Sequence, residues 1–86
     1  MKIDTYRSSA KPSFGLVVPA GTDLSSLQGI AAAAVAKLAP MTPRSRNVSL
    51  EDVFKGDLLA HLQAQIAAEG AGLVKTEVSF SEVVGN

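Results

Sequence analysis

Leu58, Leu59, Leu62 and Ile66 recur at three- and four-residue steps, Asp57 stands where a capping side chain belongs, and Gly70 sits where a left-handed terminator is wanted. The spacing predicts a helix over 58–69 with one apolar stripe. A stripe of that kind has to be buried against another element, so the helix requires a surface made by the rest of an 86-residue chain. A chain this short holds one core and therefore one domain, 1–86, and buries roughly 60–65% of the surface its unfolded form exposes.

The remaining segments supply that surface. Lys2-Ile3-Asp4-Thr5-Tyr6-Arg7 alternates apolar and polar side chains and reads as a first strand. Ser8 to Ser13 is dense in turn formers, and Pro12 has no amide to give to a ladder, so a loop is expected there. Phe14-Gly15-Leu16-Val17-Val18 then returns as the second strand of a hairpin. Pro19-Ala20-Gly21 ends it, and Thr22 or Asp23 is placed to cap a helix over 24–38, whose stripe is Leu24, Leu27, Ala31, Ala34, Val35 and Leu38. Pro40 and Pro43 break the chain after this helix and make 40–45 a connecting loop. Asn47-Val48-Ser49-Leu50-Glu51 alternates again and is read as a third strand, although Ser49 with Asp52 also resembles a weak helix start. The β-branched run from Leu73 to Phe80 is the fourth strand. Four short strands and two one-faced helices predict an α+β fold of order β-β-α-β-α-β: a two-layer sandwich in which a small mixed sheet carries both helices on one face.

Eight Lys and Arg balance eight Asp and Glu. With no surplus of clustered positive charge, a dedicated nucleic-acid binder is disfavoured. The near-zero charge leaves little self-repulsion between copies. Cysteine is absent, which removes disulfides, thiolate nucleophiles and cysteine-held metals. The first residues carry charge with no long apolar run after them, and the alanine-rich stretch 30–36 is far too short for a bilayer. A cytoplasmic protein of bacterial type, without a membrane segment, is the expectation.

No catalytic or metal-binding motif stands out, and no cofactor is expected. Ser8-Ser9-Ala10-Lys11 matches the Ser-x-x-Lys pattern, in which a lysine one helical turn away deprotonates the serine. Lys11 precedes Pro12, which disfavours helix at Lys11, and Lys75-Thr76-Glu77 has glutamate where the companion motif needs glycine. A polar hairpin loop is the simpler reading. His61, the sole histidine, falls off the apolar stripe and reads as an exposed helix residue. Glu51, Asp52 and Asp57 are explained by capping and solvation. Two basic groups could hold an anion: Arg44 and Arg46 after the prolines, and Arg7 with Lys11 around the hairpin loop. Ala32, Ala33 and Ala36 give the first helix a charge-poor face of small residues, which suits close approach of a second helix.

Tyr6-Arg7-Ser8-Ser9-Ala10-Lys11, Leu16-Val17-Val18-Pro19, Asp23-Leu24-Ser25-Ser26-Leu27 and the helix ending at Glu69-Gly70 resemble the YcgL family of small bacterial proteins. The resemblance touches about half the chain, and it implies a compact mixed α and β domain without supplying catalytic residues. The resulting expectation is a non-enzymatic domain that forms a homodimer or docks on a protein partner through Ala32, Ala33, Ala36 and the sheet edges. The alternative is a module that binds a small molecule or nucleotide phosphate through Arg7, Lys11, Arg44 and Arg46.

Overall fold

A computed structural model of the chain describes residues 1–75; the expected continuation of the last strand to Phe80 lies outside them. The order of elements is β1 (Lys2–Ser8), β2 (Gly15–Pro19), a 3-10 turn (Leu24–Ser26), α1 (Gly29–Leu38), β3 (Met41–Ser49), α2 (Leu50–Val53), α3 (Gly56–Glu69) and β4 (Gly72–Val74). The α+β class and the four-stranded sheet hold, with strand order β3-β1-β2-β4.

Two details differ from the expectation. Every strand pair is antiparallel, so the sheet is not mixed. The β1–β2 hairpin lies at its centre, and each edge strand pairs with the hairpin strand that runs opposite to it. The helices also lie on both faces, giving three layers rather than two. Leu16, Val17 and Val18 are consecutive and all fully buried. Successive strand residues point to opposite faces, so both faces must be covered. Leu16, Val18 and Leu73 pack with Ala31, Ala34 and Leu38 of α1, whereas Ile3 and Val17 pack with Leu50, Leu62 and Ile66 of α2 and α3.

The first helix starts five residues later than its stripe suggests, at Gly29. Asp23 caps the short turn instead, accepting from the Ser25 amide at 3.0 Å, while the Ser25 hydroxyl donates to the same carboxylate and the Ser26 hydroxyl to the Asp23 carbonyl. These local bonds compete with helix continuation. The later helix matches its expected end: Gly70 is left-handed at φ 78° and its amide donates to the Ile66 carbonyl. Asp57 lies inside the first turn, and Lys55 takes the capping position without a side-chain bond. Next to this terminator Gly72 lets α3 approach β4, since a Cβ there would lie 2.8 Å from Leu62 Cδ2.

The largest revision concerns 40–45, expected as a loop: from Met41 onward it is the first half of β3. Pro43 is tolerated because β3 is an edge strand with β1 as its partner on the inner side. The third strand thus runs from Met41 to Ser49, and Leu50–Val53 is helical, the weaker of the two sequence readings at that point.

Candidate functional site

Two bulges in β3 decide where the basic side chains go. Ile3 pairs with Val48 and Thr5 with Ser45, and then Tyr6 pairs with Pro43. Between Ile3 and Thr5, β3 uses one residue more than β1, and between Thr5 and Tyr6 it uses another. Asn47, at the first irregularity, has φ 53°. A bulge breaks the period-two alternation and re-aims the side chains beyond it. Arg44 and Arg46, two apart and expected on one side of an ordinary strand, are therefore separated.

Arg46 turns to the α1 side of the sheet. Its guanidinium lies 5.7 Å from the Tyr6 ring centroid and 3.9 Å from Asp4 Oδ2. Asp4 is almost fully buried; it accepts from the Gly21 amide at 3.0 Å and the Asn47 amide at 2.8 Å. Those amide bonds, Gly21 first, hold its carboxyl below the ordinary value, with Arg46 adding a smaller attraction. Asp4 thus pins both the turn after β2 and the β3 bulge, a role that an aspartate inside an alternating strand signals only as a break in polarity on a buried face.

Arg44 turns the other way and meets Arg7, which pairs with Gly15 across the hairpin. Both line a groove of about 400 Å³ whose lining joins Phe54 and Val74, which pack on the α2/α3 side, to Tyr6, Phe14 and Leu16, which pack on the α1 side. Thr5, Gly15, Val53 and Phe54 line it together with Pro12 and Ser13 of the hairpin loop. Phe54 is presented there because α2 stops after one turn, with the Phe54 backbone extended and its amide returned to the Leu50 carbonyl. Val53 is 47% exposed, unusual for a large apolar side chain among the described residues. Beyond the arginines lies a second, polar hollow of about 550 Å³ lined by Arg7, Pro12, Thr42, Pro43 and Arg44. Among the described residues neither Arg7 nor Arg44 has a carboxylate within ion-pair distance, and no Asp, Glu or His lines the groove.

The structure divides the four cations named from sequence: Arg7 and Arg44 converge, Arg46 serves the opposite face, and exposed Lys11 lines neither hollow. Ser8 is fully buried, its hydroxyl donating to the Leu38 carbonyl at 2.6 Å and accepting the Lys11 amide at 3.0 Å. With both capacities committed, Ser8 locks the turn and is not poised as a nucleophile. Ala32 and Ala33 are half-buried and Ala36 is exposed. His61 is half-buried rather than exposed. Glu51 accepts from the N-terminal ammonium at 2.9 and 3.0 Å and from the Ser49 hydroxyl. The ammonium, then its own backbone amide and Ser49, draw its pKa down to about 2. It forms no shared site with Asp52 or Asp57; among the described residues no group of three His, Asp or Glu could hold a metal ion, and no helix is long and apolar enough to cross a membrane.

Val53 and Phe54 escaped the sequence reading because they fall in a segment read as the link between a strand and a helix. The available signal was the apolar pair itself, set between Asp52 and Lys55. No family model matches the chain, and no curated protein or solved structure matches it either.

Proposed function

We propose that this chain is a non-catalytic binding module that takes an anionic ligand with an apolar part in the groove between the β1–β2 hairpin and α2. The observation that carries the reading is the meeting of Arg7 and Arg44 at the rim of an apolar groove without a carboxylate partner among the described residues. A guanidinium offers a planar fork of donors suited to an oxyanion, and the groove volume lies within the about 300–1,000 Å³ range of small-ligand clefts. Binding without turnover is supported by the lining, which offers no His, Asp or Glu as a general acid or base.

The rival reading, association through Ala32, Ala33 and Ala36, has less support. Two of those side chains are already half-buried in the monomer, and the β3 edge is blunted by Pro43 and two bulges. The test is a titration of ¹⁵N-labelled protein with small aromatic and aliphatic oxyanions, monitored by amide shifts. Saturable shifts at Arg7, Gly15, Ser45 and Phe54, weakened tenfold or more by Arg7→Ala or Arg44→Ala and little changed by Arg46→Ala, are expected. Shifts that do not saturate, or that ignore the Arg7 and Arg44 variants, would overturn it.

A further inference from the structure

We infer that the ligand of this groove is an aromatic phosphate monoester of about the size of a nucleoside monophosphate, an inference that rests on the anion-binding reading above. Charge comes first. Two guanidiniums without carboxylate partners among the described residues face the same rim, and a phosphate monoester carries about −1.5 to −2 charges at neutral pH. One dianion satisfies both, whereas one carboxylate leaves a positive charge uncompensated.

Position comes second. Arg7 and Arg44 are shared between the apolar groove and the polar hollow edged by Thr42 and Pro43. They therefore stand at a boundary, with an apolar slot on one side and an open, hydrated space on the other. A ligand with its phosphate at the arginines can place an apolar body in the slot and keep its remaining phosphate oxygens in water.

Shape comes third. Gly15 faces Arg7 across the hairpin and leaves the floor at backbone level; an added Cβ there would meet the Tyr6 carbonyl at 3.2 Å. A glycine inside a strand often marks close approach of another group. Phe54 and the exposed Val53 line the same groove. A planar ring fills such a slot with contact on both sides, and aromatic side chains stack bases whatever their identity.

Calorimetric titration of the full chain with adenosine monophosphate, ribose 5-phosphate and adenosine tests this. The monophosphate is expected to bind at least tenfold more tightly than either fragment. Arg44→Ala should weaken it and ribose 5-phosphate alike, and Phe54→Ala should weaken the monophosphate alone. Phe54→Leu, which removes the ring but keeps an apolar side chain, serves the same purpose if the alanine variant does not fold. Equal binding of the monophosphate and ribose 5-phosphate would overturn the ring slot while leaving the anion site standing. Equal binding of the monophosphate and adenosine, unaffected by Arg44→Ala, would overturn the anion site as well. No binding of the monophosphate, with other oxyanions still saturating the groove, would overturn this ligand class alone.

Discussion

Arg44 and Arg46 are two residues apart on the same strand, yet one faces a groove and the other is bound into the opposite side of the sheet. On the α1 side, polar groups are committed: Asp4 holds two amides and Arg46, and Ser8 ties the hairpin loop to the end of α1. On the α2/α3 side, Ile3, Val17, Leu62 and Ile66 close one end, while the other end keeps two arginines, a glycine floor and an exposed valine. The side that commits its polar groups to structure is the fold's anchor. The other side leaves Arg7 and Arg44 without an ion pair among the described residues, and that is where the proposed ligand would be held.

The sharpest way to break this contrast is to cut into both sides. Leu16→Ala removes a fully buried side chain from the α1-side core and should cost about 2–5 kcal/mol in urea denaturation. Phe54→Leu trims a half-buried side chain on the groove wall and should cost less, about 1 kcal/mol. Equal losses would mean that the groove wall is core and the two sides are alike. Gly72→Ala comes next in size. Its methyl would press on Leu62, and overpacking of this kind costs about 1–3 kcal/mol; a neutral result would show that α3 can shift away from β4.

The legible part of this fold is the part that local pattern can encode. The stripe from Leu58 to Ile66 and the Gly70 terminator placed α3 closely, because period and cap are both local. The hairpin was legible for the same reason. Cover on both faces was present in the unbroken run Leu16-Val17-Val18, which alternation alone does not produce, but its weight was visible only once each residue had a partner. The bulges were not legible. They depend on β3 meeting β1 across an interval that contains α1, and without them Arg44 and Arg46 look like one patch. Pro43 misled by its usual meaning, since an edge strand can accept what a central strand cannot, whereas Pro40, outside β3, does follow the end of α1.

Acid sensitivity distinguishes the two sides at a third, smaller scale. The Asp4 carboxyl titrates below its ordinary 3.8 in the folded protein, through the Gly21 and Asn47 amides. A folded pKa below the unfolded one contributes stability that is complete above the unfolded value and is lost as pH falls through the folded one. Stability should therefore hold from neutral pH to about pH 5 and decline below about pH 4. Glu51 sheds its share between its ordinary 4.5 and about 2. Asp4→Asn turns one accepting oxygen into a donor facing an amide, so it should lower the urea midpoint at neutral pH and flatten the acid decline. A profile parallel to that of the parent protein would remove Asp4 from its anchoring role.

The smallest effect is the most informative about function. Arg44→Ala removes a side chain with no ion pair among the described residues, so it should change unfolding free energy by no more than about 0.5 kcal/mol while abolishing most oxyanion binding. Arg46→Ala removes an ion pair whose arginine is 61% exposed and a stacking contact with Tyr6; its cost should be small but larger than that of Arg44→Ala, with binding retained. A loss of stability in Arg44→Ala that exceeds the loss in Arg46→Ala would make Arg44 structural, and the groove would lose the uncommitted charge on which its ligand depends. The opposite order, with binding lost only in Arg44→Ala, ties the bulges of β3 directly to function, since they send one arginine to the fold and the other to the groove.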